Sequence, residues 1–311
     1  MPNFFIVYPE IVLAIFATAV LLLELGTHND AYRRIIHVVS LISLAIAGVL
    51  TARLLHSGVN LMAFNDMFVS DPLANLAKMF SLICVAVTFV YGQRYAVERG
   101  FLNGEFYSLS LFSLVGQLVM ISSNNLLALY MGLELQALSL YALVALRRDH
   151  VRSIEAAMKY FILGAIASGL LLFGMSLVYG ATGGSLSLTE IANKVAGGHA
   201  DTQMPILIMG LVFLVAGVAF KLGVVPFHMW VPDVYQGSPT PVTLMIAAAP
   251  KIAAFVMVVR LFIQGLPHLS IDWQQMFAVL AVLSLILGNL AAIRQKSYKR
   301  MLAYSGISHM G

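Results

Sequence analysis

Three ionisable residues stand out by where they sit. Glu134 ("LALYMGLELQALSL"), Lys221 ("GVAFKLGVVPFHMW") and Lys251 ("AAAPKIAAFV") each lie in an apolar run, Glu134 and Lys251 near the middle and Lys221 nearer one end. A charge at the centre of a bilayer costs about 2.5–3.5 kcal/mol by insertion scales, so three in neighbouring runs need a reason. Lysine and glutamate in such a setting suit proton transfer. Burial disfavours an ammonium and a nearby carboxylate restores it, so protonation follows the distance between them. A structural Glu–Lys pair that locks helices together is the alternative. Schiff-base chemistry would need a carbonyl substrate or a pyridoxal site, and nothing in the sequence points to either.

Proline and glycine sharpen the case. Pro226 cannot donate to the carbonyl of Leu222, the neighbour of Lys221, and Gly223 loosens the same turn. Pro250 likewise frees the carbonyl of Ile246, and Lys251 follows it directly. Both lysines therefore sit where the helical hydrogen-bond ladder is interrupted. Broken helices at membrane depth are tolerated where they line a cavity or are buried in protein, and transporters build ion sites from them. The spacing predicts a break between Lys221 and Met229 and one polar, hydrated site around it.

The other titratable residues are less distinctive. His228 lies in the broken segment and fits a proton relay or a cap on loose backbone groups equally well. Lys159, with Glu155 one turn before it, fits a helix-end ion pair or a place on the same path. His309 lies in a final apolar run, and His37, at the start of a run, reads as interfacial. Lys78 and Arg260 fall near run ends and read as snorkelling side chains. No histidine has metal-ligand spacing with cysteine or carboxylate. The single cysteine, Cys84, rules out an intrachain disulfide or a cysteine-rich cluster. P-loop, dinucleotide, flavin, haem and iron–sulfur motifs are missing from the sequence, so no cofactor or metal is expected in this chain.

The elements that must position these residues are membrane helices. Of the 311 residues, 60% are hydrophobic and 10% charged, against about 25% charged in a soluble domain. Runs of about 20 apolar residues span a bilayer. They fall at 4–25, 35–55, 73–93, 107–123, 124–146, 154–180, 205–229, 240–264 and 272–293, with a tenth opening at 298. The fold class is all-α polytopic membrane protein. The first run lacks a basic n-region and a cleavage pattern, so it reads as a retained helix. "SSNN" makes a tight turn between the fourth and fifth runs, and the long loop 181–204 holds room for one short amphipathic helix.

Basic residues set the orientation. Alternate loops on one side carry Arg33, Arg34, Arg94, Arg99, Arg147, Arg148, Arg152, Arg294, Lys296, Lys299 and Arg300, whereas the opposite loops carry only Arg53 and Lys194. By the positive-inside rule the first side is cytoplasmic and the N-terminus lies outside, in the periplasm of a bacterium. Because the basic residues sit in these short loops, the net charge of +4 does not indicate nucleic acid. The closing "MLAYSGISHMG" stops inside an apolar helix, so the chain is expected to continue beyond Gly311. "GQLVMI" at 116–121 echoes "GNLAAI" at 288–293, and "YMGLEL" at 130–135 echoes "YSGISH" at 304–309. The paired spans run in opposite directions, the mark of an inverted repeat. This divides the chain into leading helices at 1–106, a first five-helix unit at 107–264 and the start of a second at 265–311.

"FKLGVVPFHMWVPDVYQGSPTPVT", "APKIAAF" and "RMLAYSGISHMG" together resemble the antiporter-like subunits of respiratory complex I. "VPDVYQGSPTPVT" is similar to the N branch of that family, where the L and M branches read closer to "LPDAHxxAPTPVS". The resemblance covers essentially the whole chain. It implies fourteen helices with two inverted five-helix repeats, the second cut short here, so that the family's twelfth-helix lysine lies beyond Gly311. It implies a proton channel in which Glu134, Lys221, Lys251 and His309 match the family's buried glutamate, two lysines and histidine, and Lys159 matches a sixth-helix lysine. It further implies that NADH, FMN, iron–sulfur clusters and quinone belong to other subunits. The partners would be membrane subunits of the complex, including a second antiporter-like one, in the bacterial inner membrane. A cation/proton antiporter that shares the broken-helix motif is the competing reading, and a structural scaffold is the third.

Overall fold

A computed structural model describes residues 4–26, 30–58, 60–99, 103–198 and 203–311. After a short 3₁₀ turn it runs α1 (Tyr8–Gly26), α2 (Asp30–Ser57), a hairpin of β1 (Leu61–Ala63) and β2 (Phe68–Ser70), α3 (Pro72–Glu98), α4 (Gly104–Ser122), α5 (Leu126–Val144) and α6 (Val151–Ala181). There follow α7 (Leu188–Ala196), α8 (Met204–Leu222), α9 (Trp230–Gly237), α10 (Thr240–Ala247), α11 (Ala249–Val258), α12 (Ser270–Ile293) and α13 (Tyr298–Met310). Among the described residues nine helical stretches are long and apolar enough to cross a membrane. They follow the nine apolar runs, and α7 is the short helix expected in the long loop.

Core packing is set by small residues. A Cβ on Gly116 of α4 would lie 2.5 Å from Gln136 N of α5, and one on Gly174 of α6 would lie 2.8 Å from Leu214 N of α8. Without a hydrophobic drive between helices in lipid, such close backbone approach is what holds neighbours together.

Two expectations about buried charge fail. Lys78 does not snorkel. It is fully buried and pairs with Glu10 of α1 at 2.6 Å, and Glu10 is 4% exposed. The contact is an ion pair without hydrogen-bond angles, and Phe68 of the hairpin lies over the ammonium at 4.9 Å. Arg260, 2% exposed, does not snorkel either. It makes two 2.8 Å hydrogen bonds to Asp71, the N-cap of α3, and donates also to Gln264 and to the carbonyl of Ile121. It lies in a π-helical stretch, Val259–Gly265, that closes the eighth span. In both cases an acidic partner far away in sequence makes burial affordable, and position near a run end could not show that partner. His37 is buried in the protein, with its Nδ1 2.9 Å from the Tyr107 hydroxyl.

The "SSNN" turn does more than join two helices. Asn124 N–H donates to Met67 O of the hairpin, its side chain donates to Asp66 O, and its own carbonyl accepts from Leu188 N. Asn125 caps α5 through the N–H groups of Leu127 and Ala128. One turn thus ties together the hairpin, α5 and the start of α7 in the long loop.

Candidate proton-path site

The apolar helix α8 ends at Leu222, seven residues short of the run seen in the sequence. Gly223 is the reason. Its φ of +75° lies in the left-handed region that favours glycine. The chain is then non-helical to Met229, with a cis bond at Val225–Pro226, before α9 begins at Trp230. Residues 230–237, just past the seventh apolar run, form this helix.

The last turn of a helix leaves four carbonyls without partners, at the negative end of its dipole. Here each is answered. Ala219 O accepts from Gly223 N and Val224 N, and Phe220 O accepts from Trp230 Nε1 at 3.0 Å. Lys251 Nζ donates to Lys221 O at 3.2 Å and to Leu222 O. Lys251 reaches this point because the eighth span is itself broken at Ala248, so that α11 starts afresh with Pro250 in its first turn. The Lys251 ammonium also lies 5.3 Å over the Trp230 ring, which stacks on Tyr160 at 4.6 Å. Two broken helices therefore meet at one cation, on carbonyls left open where α8 stops.

Glu134 lies near the middle of α5 and is half-buried. Its carboxylate accepts from Ser168 of α6, whose oxygen lies 3.1 Å from the Tyr130 hydroxyl. Glu134 and Lys221 make no ion pair within bonding distance among the described residues; the carboxylate's partner is Ser168. Lys251 and His309 line one cleft of about 570 Å³ between the α8 end, α10, α11 and α13, which extends to Tyr298 and Lys299. His228 is half-buried, and its Nδ1 has no hydrogen-bond partner among the described residues.

Lys159 is placed elsewhere. It pairs at 2.8 Å with both Glu155 and Asp233, and Asp233 also accepts from Arg300. Burial alone would raise the Asp233 carboxyl, yet the hydrogen bonds from Lys159 and Arg300 hold it below its ordinary value. The cluster clamps α6, α9 and α13 together at the arginine-rich end. The residues that the sequence reading missed are Ser168, Tyr130 and Trp230. Ser168 carried a signal, a hydroxyl inside the apolar run of α6, and Trp230 is one of only two tryptophans.

Residues 123–311 match the family model described as "NADH:quinone oxidoreductase/Mrp antiporter, TM". The chain belongs to this antiporter family. A family relative from Herminiimonas arsenicoxydans, named NADH-quinone oxidoreductase subunit N, is 55% identical over 313 residues, which cover 99% of this chain and 63% of that protein. A chain in the structure of respiratory complex I from Thermus thermophilus with bound aureothin is 35% identical, with a TM-score of 0.78 over 97% of this chain and 62% of that one. A chain of the Mrp complex from Dietzia sp. DQ12-45-1b, 20% identical with a TM-score of 0.82, shares the antiporter-family fold. The chain thus spans a little over three fifths of the length of the first two.

Gly223 gives a direct check on the geometry of the break. A Cβ there would meet Val231 Cγ2 at 2.7 Å and Lys251 Nζ at 3.1 Å, in a backbone conformation that strains an L-residue by about 1–2 kcal/mol. Gly223→Ala should lower the thermal unfolding temperature and displace the Lys251 ammonium. Gly169→Ala, which enters open space, should do neither. Equal stability and activity in the two variants would mean that the turn is not under this constraint.

Proposed function

We propose that this chain is a proton-translocating membrane subunit of an NADH:quinone oxidoreductase. The observation that carries it is the Lys251 ammonium seated on the carbonyl end of the broken α8, beside Lys221. A cation bound by half-helix carbonyls can be released when the two half-helices shift, with no covalent step. In the proposed path Lys251 passes its proton along the shared cleft to His309, and the neutral amine left behind then takes the proton that Lys221 releases when Glu134 moves away. His228, in the broken segment, and Lys159, tied to α9, stand beside this line. The names of the relatives support the assignment to the oxidoreductase.

In this reading the chain carries no redox centre and is a non-redox member of a translocase. NADH, FMN, iron–sulfur clusters and quinone are handled by other subunits, and quinone reduction there drives the cycle. Its partners are the complex's other membrane subunits, a second antiporter-like one among them, in the inner membrane with the N-terminus periplasmic. The echo between 107–264 and 265–311 is proposed as an inverted repeat. Gly288 supports it, because a Cβ there would lie 2.8 Å from Ser308 N, as Gly116 approaches α5 in the first copy.

Purification decides between this and a cation/proton antiporter, a reading favoured by the Mrp likeness. Flavin and iron–sulfur subunits should co-purify with the full-length protein. Their absence, with sodium–proton exchange in vesicles, would favour the antiporter. Orientation is tested separately. In a Cys84→Ser background, a thiol placed by Asp149→Cys should resist an impermeant reagent in intact cells and react in inverted vesicles. Efficient labelling of intact cells would reverse the assigned topology.

A further inference from the structure

The carboxylate of Glu134 accepts from Ser168, which is 5% exposed and is itself met by Tyr130, one turn before Glu134 on α5. A serine has one O–H to give. When Glu134 is ionised that O–H points at the carboxylate, so the Tyr130 hydroxyl must donate to Ser168. When Glu134 is protonated and donates, the Ser168 O–H turns toward Tyr130. The polarity of the chain Tyr130–Ser168–Glu134 therefore reverses with the state of one carboxyl group.

The same face of α6 reaches the break. Tyr160, Gly164 and Ser168 follow one another at four-residue spacing and so lie on one side of the helix. The Tyr141 hydroxyl occupies the place where a Cβ on Gly164 would be. Tyr141 packs edge-on against Tyr160 at 4.6 Å, and Tyr160 stacks on Trp230, under the Lys251 ammonium. One helix face thus carries the seat of Glu134 at one point and the support of Lys251 two turns away.

We propose that Ser168 is a positioning residue for Glu134: with Tyr130 it forms a second seat for the carboxylate, on the side of α6, which competes with Lys221. In this structure the carboxylate occupies that seat. Departure of the Lys221 proton toward Lys251 leaves Glu134 on Ser168, and reprotonation of Lys221 draws it back. The inference rests on the proton-path reading and adds to it the group that holds Glu134 between strokes.

The test uses the full-length subunit in the assembled complex in vesicles, with protons pumped per NADH oxidised as the first readout. Ser168→Ala should lower that ratio several-fold, and Ser168→Thr, which keeps the hydroxyl, should restore it. The second readout is infrared. The carboxyl band that vanishes in Glu134→Gln should shift in Ser168→Ala and return in Ser168→Thr, which a purely packing role for the serine would not produce. Should Ser168→Ala assemble poorly, Ser168→Cys keeps the volume with a much weaker donor, and normal assembly with reduced pumping is expected. Wild-type pumping in Ser168→Ala or Ser168→Cys, or an equal loss in Ser168→Thr, overturns the proposal. Lys221→Ala is measured alongside. Wild-type pumping in that variant would sink the proton-path reading itself, whereas wild-type pumping in the serine variants alone sinks only this inference.

Discussion

Lys221→Ala is expected to abolish most proton translocation while the complex still assembles. Lys221 sits one residue before the end of α8, and its own carbonyl already binds Lys251. The backbone of the break is held by Gly223, Trp230 and Lys251, none of which needs the Lys221 side chain. Removing that chain takes away the proposed proton carrier and leaves its surroundings standing. Glu134→Ala should do nearly as much damage, because a buried ammonium and a buried carboxylate each favour the other's charged form. Glu134→Asp should be milder, since it keeps the charge and shortens the reach. Proton pumping in vesicles, NADH oxidation and assembly are to be measured together. If both alanine variants pump like wild type in assembled complexes, the charges serve only to hold helices together. Lost assembly with normal pumping in the residue that remains would say the same.

A second large effect is expected at Lys78, away from the proposed path. Lys78→Ala leaves the Glu10 carboxylate buried with its cation gone, between α1, α3 and the hairpin. Breaking a buried pair by removing one partner costs about 3–5 kcal/mol, a large share of the roughly 5–15 kcal/mol that typically holds a protein folded. The subunit should accumulate poorly and unfold at lower temperature. The double variant Glu10→Leu/Lys78→Met should recover much of the loss, since it leaves no uncompensated charge. Unchanged accumulation and melting in Lys78→Ala would mean that the lysine reaches polar surroundings after all.

The contrast between Lys78 and Lys221 shows what a sequence can disclose. Span number, the break after Lys221 and the interruption beside Lys251 were all legible, because apolar length, proline and glycine act on the local chain. Lys251 was legible as a buried charge, but its seat on the carbonyls of Leu222 and Lys221 depends on a contact about thirty residues away in sequence. Ser168 went unnoticed because a lone serine in an apolar run matters only once α6 is laid against α5. The snorkelling expected of Lys78 and Arg260 failed for the same reason. Depth in a run can be counted along the chain, while the carboxylate waiting at the other end of a contact cannot. The hairpin at 61–70 was missed because each of its strands is three residues long, too short for alternation to register.

The bond between Arg260 and Asp71 joins residues 189 positions apart. A ribosome adds about 5–20 residues per second, so Asp71 is made roughly ten to forty seconds before its arginine exists. Until then its local partner is the N–H of Ala74 at the start of its own helix. During biogenesis the Asp71 end of α3 therefore stays open while five further spans are threaded, and it closes when the π-helical turn of the eighth arrives. A translation pause or a truncation between those two points would strand a carboxylate at the membrane edge, a mark that membrane quality-control proteases could read.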